Sequence, residues 1–261
     1  MKPLQLLSML PRRPLEFYDR ASAVAATRWE ALRGRRVSYT ANSLPEALRG
    51  ISGAVHSDCL KWLSEPDLAL IQKEVEAGKS ALSLDGPFPL FHNGDSSLGR
   101  VCYAATRAVR PKVVIETGVC YGVTSAHVLQ ALEANQEGHL QSIDLPPLGK
   151  DADKHVGRLI PGNLRRRWTL HRGVSGRILP SLLQQIGCLD LFIHDSLHTF
   201  GNMKMEFSLA WPALRPGGLL IADDVEGNPA FLQLMARRDV ALSFVVKEEV
   251  KDSFLGIAVK G

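Results

Sequence analysis

Between residues 112 and 222 of this 261-residue chain, short β-branched and aliphatic runs alternate with stretches of helical periodicity. The runs are KVVIE (112–116), HLQSI (139–143), RWTLH (167–171), LDLFIH (189–194) and GLLIA (218–222). Between them, Ile178, Leu179, Leu182, Leu183 and Ile186 share one helical face, and Met203, Phe207, Ala210, Trp211 and Leu214 share another. Asn228 followed by Pro229 predicts the start of a further helix through Phe231, Leu234 and Met235. Strands separated by helices must run parallel, because a crossover is needed to return the chain to the same end of the sheet. The pattern therefore predicts an α/β fold with helices on both faces. The chain closes differently. VALSFVVKE and SFLGIAVKG are joined only by a short charged link, Glu248 to Asp252, which predicts a terminal hairpin.

The first part of the chain reads as helical, and a boundary is expected between residues 1–78 and 79–261. Tyr18, Ala21, Ala25, Trp29 and Leu32 recur at helical spacing. SEPDLALIQKEVEAG is expected to be capped by Ser64, to bury Leu68, Ile71 and Val75, and to end at Gly78. The intervening RGRRVSYTANSLPEALRG reads as a connector. Seven arginines (12, 13, 20, 28, 33, 35 and 36) crowd this region and account for the net charge of +4. They form either a solvated face or a contact for a membrane surface or a protein, and no nucleic-acid signature accompanies them. The apolar run LQLLSML is short and followed at once by charge, so neither a secretion signal nor a membrane span is expected. Cys59, Cys102, Cys120 and Cys188 are scattered, which suits free thiols and a cytoplasmic setting.

The most informative stretch is VVIETGVCYGVTSAHVL, where the first strand meets a turn and a helix. Gly118 and Gly122 are too far apart for G-x-G-x-x-G, and no lysine follows to make a phosphate loop. The spacing is E-x-G-x-x-x-G, with Glu116 at the mouth. Such a turn is poorly suited to a pyrophosphate and better suited to an amine and an uncharged nucleoside. S-adenosylmethionine is a ligand of that kind. Glu116 or nearby carbonyls would meet its amino group, and Asp144, at the end of the second run, would meet its ribose hydroxyls.

These motifs, with SIDLPP, LDLFIHDSLHTFGNMKMEF, LRPGGLLIADDV and the closing hairpin, resemble class I S-adenosylmethionine-dependent methyltransferases of the methyltransferase family 24 type. The resemblance spans about residue 80 to 261. It implies a Rossmann-like seven-stranded sheet of order 3-2-1-4-5-7-6 with one antiparallel strand. It implies cofactor contacts from Glu116, Thr117, Gly118, Val119, Gly122 and Asp144, with Gly173, Val174 and Ser175 near the adenine. It also implies a binding lid over residues 145–165 and an acceptor pocket shaped by the N-terminal extension. Asp95, Ser96 and Ser97 are weaker candidates for contact with donor or acceptor.

Three acids fall at adjacent strand ends: Asp195, then Asp223 with Asp224. Converging carboxylates call for a hard cation, most simply Mg²⁺. The metal-dependent relatives carry acids at these positions, but Leu197 stands where many have a further aspartate. That departure moves the expected base to His198, with Asp195 beside it. His194 and His127 are expected to pack rather than react, and the run Arg165, Arg166 and Arg167 to be solvated.

The expected function is O-methylation of a small-molecule or sugar hydroxyl. Two alternatives stay open: a nucleotide-dependent oxidoreductase on the same sheet, and a non-catalytic methyltransferase-like scaffold docked through its basic helices. Whether the chain is a homo-oligomer is likewise open.

Overall fold

A computed structural model describes residues 7, 9–34, 36–82, 86–88, 96–149, 151–249 and 252–261. Seven strands form one sheet in the order β3-β2-β1-β4-β5-β7-β6. They are β1 (Val113–Thr117), β2 (His139–Asp144), β3 (Trp168–Arg172), β4 (Leu189–His194), β5 (Leu214–Ala222), β6 (Val240–Lys247) and β7 (Phe254–Lys260). The first five pair in parallel, and β7 inserts antiparallel between β5 and β6. The expected order and the terminal hairpin are both present.

Alternation along the central strands sorts their side chains into two cores. Val114, Leu191, Ile193, Leu219 and Ile221 join one. Ile115, Phe192, Leu220 and Ala222 join the other. Strands covered on both faces carry apolar residues throughout, which is why their sequences are near-continuous aliphatic runs.

The helices are α1 (Pro14–Arg33), α2 (Leu44–Val55), α3 (Pro66–Ser80), α4 (Ser96–Val109), α5 (Val123–Asn135), α6 (Ala152–His155), α7 (Ser175–Ile186), α8 (Phe200–Ala213) and α9 (Ala230–Met235). Three were not foreseen: α2, α4 and the short α6, which falls in the stretch 145–165 read as a binding loop. α2 lies in the presumed connector, where Ser43 accepts from the Glu46 N–H and the Glu46 carboxylate accepts from the Ser43 N–H. This reciprocal capping box, written in the sequence as SLPE, starts the helix. α4 buries Leu98, Val101, Cys102, Ala104 and Ala105 against the sheet.

The expected boundary at residues 78/79 falls inside α3, which runs on past Gly78 to Ser80. α3 begins not at a Ser64 cap but with Glu65 as the capping residue and Pro66 in the first turn. The Glu65 carboxylate is engaged elsewhere: it accepts from Arg107 Nε (2.8 Å) and Nη2 (2.7 Å) and from the Tyr103 hydroxyl. Leu44, Leu48, Ile51, Leu68, Ile71 and Val75 share one core with β1, β4 and β5. Residues 44–80 are thus a layer of the α/β unit, whereas α1 contributes no residue to either core.

α1 is the helix that the recurrence of Tyr18, Trp29 and Leu32 predicts, and these three side chains are exposed at 65%, 58% and 83%. The face turned to the rest of the molecule instead carries Glu16, Asp19, Arg20 and Glu30. Helical spacing marks a stripe but does not say which side of it meets the protein.

Candidate functional site

The sheet delivers β1, β2, β4 and β5 side by side at their carboxyl ends, and the chain past each strand stays in register. Gly118 N–H donates to the Ile143 carbonyl (2.9 Å), Asp195 N–H to Thr117 O (2.8 Å), and Asp223 N–H to His194 O (2.9 Å). Gly118 has φ +85°, and a Cβ there would lie 1.9 Å from the Asp195 carbonyl oxygen. Only glycine permits both that backbone conformation and that approach. At Gly122, with φ +90°, a Cβ would meet Gly157 Cα at 2.8 Å.

Asp144 sits at the end of β2 and organises the turn. Its Oδ2 accepts from the Val119 N–H (2.7 Å) and the Cys120 N–H (2.8 Å). Burial raises its pKa, against the lowering effect of those two N–H groups. Residues 157–159 fasten the turn from outside: Gly157 N–H donates to Cys120 O (3.0 Å) and Leu159 N–H to Tyr121 O (2.9 Å). The segment expected to be a lid is therefore bonded to the turn by its backbone.

Glu116 and Thr117 lie behind this rim. The Glu116 carboxylate is completely buried and accepts from Ser125 Oγ and Ser142 Oγ, both at 2.7 Å. Burial pushes its pKa up to about 7 in spite of those two bonds. The expectation that it meets an amine at the mouth needs correction: the side chain points between β1, β2 and α5 and has no exposed surface. Thr117 is also buried and donates to Glu206 Oε2 (2.6 Å).

At the ends of β4 and β5, Asp195, His198 and Asp223 each place a ligand atom within 4.8 Å of the others, and so do Asp223, Asp224 and Glu248. The three acids expected together thus divide between two clusters that share Asp223. His198 Nδ1 is 3.5 Å from Asp224 Oδ2, and its Nε2 is 4.0 Å from Asp195 Oδ1.

Two cavities open beside this rim, and α1 walls both. One of about 530 Å³ is lined by Ala23, Ala26, Trp29, Leu197, Phe200 and Met205, among others. The other, of about 660 Å³, lies between Ala23, Val24, Phe88, Leu145, Pro147 and Leu197. Val174, at the start of α7, borders the first cavity, and Ser175 beside it is buried. Gly173 N–H donates to Asp144 O (2.8 Å), which ties the ends of β2 and β3 together.

Residues 115–225 match the Methyltransf_24 family model, described as a methyltransferase domain. That stretch is similar to a methyltransferase domain. Its fold recurs in solved structures. One is the O-methyltransferase TomG from Streptomyces achromogenes, involved in tomaymycin synthesis and solved with S-adenosylmethionine: TM-score 0.54, 18% identity, 75% of this chain and 90% of that one. Another is an O-methyltransferase from Bacillus cereus in complex with S-adenosylhomocysteine: TM-score 0.52, 18% identity, 75% and 91%. A third is a Podospora anserina methyltransferase bound to S-adenosylhomocysteine: TM-score 0.54, 12% identity, 86% and 100%. No curated protein matches the chain in sequence.

Within the matched stretch, Gly118, Val119, Gly122, Asp144, Gly173 and Val174 line or brace one rim, with Asp195, His198, Asp223 and Asp224 beside it. Asp95 lies outside the described residues, as does the side chain of Ser96. Ser97 Oγ accepts from the Glu249 N–H (3.1 Å). His127 is buried, with Nδ1 2.8 Å from Val123 O, which is the packing role expected of it.

Sequence reasoning missed Glu206. It is completely buried in α8 and sits at the hub of a polar network. His194 Nδ1 lies 2.6 Å from its Oε2, Ser196 Oγ donates at 2.8 Å and Asn202 Nδ2 at 3.1 Å. Burial acts to raise its pKa, but the charge and hydrogen bond of His194 prevail and lower it. The His194 ring meets the His198 ring edge-on at 5.3 Å, so the network braces the half-buried His198 from behind. The available signal was an acid lodged beside the apolar stripe of Met203, Phe207 and Ala210.

Proposed function

We propose that this protein transfers a methyl group from S-adenosylmethionine to a hydroxyl of a small-molecule acceptor. The observation that carries the reading is the convergence at one rim of the Asp144-held glycine turn and the Asp195–His198–Asp223 cluster. The donor supplies an electrophilic methyl on a sulfonium, and the acceptor oxygen must lose its proton as it attacks. One Asp144 oxygen holds the turn, and the other would accept from the ribose hydroxyls. The backbone from Thr117 to Gly122, with Gly173, Val174 and Ser175, borders the donor. His198, set between Asp195 and Asp224, accepts the acceptor's proton. α1 and Leu197 exclude water from the cavities, and their apolar walls favour an acceptor with an aromatic or aliphatic body.

The test is calorimetric titration with S-adenosylhomocysteine beside NADH, followed by methyl transfer to a panel of phenols and sugars. Binding of S-adenosylhomocysteine alone is expected. Asp144→Ala should weaken it at least tenfold, and His198→Ala should leave it intact but slow turnover about 10²-fold or more. Binding of NADH alone would favour the oxidoreductase. Binding without transfer to any acceptor would favour the scaffold.

A second reading concerns a metal, and the Asp195–His198–Asp223 cluster favours it. Two carboxylates and an imidazole fit a divalent cation, and the nitrogen donor suits Mn²⁺ or Zn²⁺ better than Mg²⁺. A bound cation would make the acceptor hydroxyl more acidic. His198 would then be a ligand, and the base would lie elsewhere. Mn²⁺ titration followed by calorimetry separates the two: heat that disappears in Asp223→Asn favours the metal, and its absence leaves His198 as base.

A further inference from the structure

α1 carries a second, outward face. Leu15, Tyr18, Ser22, Ala25, Trp29 and Leu32 follow one another at alternating steps of three and four residues, and all six are exposed, with Ser22 and Trp29 on the edge that also lines the first cavity. That spacing places them in one stripe along the helix. Leu7 and Leu10, just before it, are exposed at 57% and 47%, and Leu15 at 65%. Large apolar side chains exposed in a row mark an interaction surface rather than a surface meant only for water.

The charges on the same helix are sorted by side. Between residues 7 and 36 the acids are Glu16, Asp19 and Glu30, and all three face the domain. Glu16 pairs with Arg172 (3.0 Å), Asp19 with Arg177 (2.8 Å), and Glu30 accepts from the Phe200 N–H (2.9 Å). The exposed charged residues of the described stretch are Arg12, Arg13, Arg28, Arg33 and Arg36. The Arg33 guanidinium lies 4.7 Å over the Trp29 ring, so cation and aromatic present themselves together.

Charge complementarity selects the partner. Two copies of this chain meeting through the stripe would set arginines against arginines. An anionic lipid surface satisfies both halves of the pattern: leucine, tyrosine and tryptophan enter the acyl boundary while guanidiniums meet headgroup phosphates. We propose that the outer face of α1 docks this protein on an anionic bilayer, with α1 lying in the plane of the interface. Among the described residues no helix is long and apolar enough to cross a membrane, which fits a surface role. The acidic inner face keeps α1 on the domain while it docks, so the bilayer would lie against the wall shared by both cavities. The inference does not depend on methyl transfer.

The full chain is mixed with vesicles of phosphatidylcholine alone or of phosphatidylcholine with phosphatidylglycerol, and pelleted. Pelleting with the mixed vesicles only, weakening as salt rises, is expected. Leu15→Ser with Tyr18→Ser and Leu32→Ser should reduce partitioning at least tenfold. Arg12→Gln and Arg36→Gln should each weaken it roughly fivefold. Should the triple variant fail to fold, the arginine variants decide. Equal pelleting with both vesicle types, pelleting with neither, or full retention by the variants would overturn the proposal. So would a wild-type dimer in sedimentation equilibrium that the triple variant abolishes, because a second copy would then own the stripe.

Discussion

The β1–α5 turn and helix α1 border the same crevice but are held by different forces. The turn is fixed by backbone hydrogen bonds on every side and by a glycine whose Cβ would strike the Asp195 carbonyl. α1 is held by charged side chains: Glu16 and Arg172, Asp19 and Arg177, and Arg20 Nη2 on the Pro146 carbonyl at 2.6 Å. A backbone fixed in this way has no alternative arrangement of similar energy. Ion pairs at a surface exchange readily with water and salt. The turn side of the crevice is therefore built rigid, and its α1 wall is built to be released at modest cost.

The largest effect should come from breaking the turn. Gly118→Ala forces a Cβ into backbone and a side chain into φ +85°, and should cost more than about 3 kcal/mol in urea unfolding or prevent folding. A loss below about 1 kcal/mol would mean that the ends of β1 and β4 can move apart.

Beneath the turn, Glu116 sharpens the contrast through pH. Its pKa rises on folding from 4.5 to about 7, so the folded state favours the protonated acid. Its contribution is complete below the unfolded value and is lost as pH rises through the folded one. Glu116→Gln should therefore remove a stability decline between about pH 4.5 and 7, on the order of 3 kcal/mol. Parallel stability–pH curves for the two proteins would refute the assignment.

The smallest effect on global stability should come from α1. Glu16→Gln with Asp19→Asn should cost about 1 kcal/mol or less in unfolding, yet speed proteolysis between residues 34 and 41. Burial acts to raise the Glu16 pKa, but Arg172 and Arg20 outweigh it and hold it at about 2. The grip of Glu16 is thus present above pH 4.5 and lost as pH falls towards 2, so acid should release α1 in the wild type. Unchanged proteolysis in the double variant would mean that apolar contacts, not charges, hold the helix.

Much of the site was legible because its chemistry lies at strand ends, and strands announce themselves by aliphatic runs. Gly118, Asp144, Asp195 and Asp223 each follow such a run or close it, and a parallel sheet must gather those ends at one rim. Glu206 was hidden because it sits mid-helix and reaches the rim only through Thr117, His194 and Ser196, contacts made across the fold. α2 was overlooked although its capping box is local, and α4 because its apolar face is built largely from small residues.

The sequence by itself determined the strands, their parallel run, the terminal hairpin and the glycine turn, since periodicity and backbone conformation are local properties; the strand order was implied only by the family resemblance. Only the tertiary structure decided that Glu116 is buried, that the three acids divide around Asp223, and that α1 turns its acids inward and its aromatics outward. Each depends on which surfaces meet, and the direction a stripe faces is set by the partner it finds, not by its spacing.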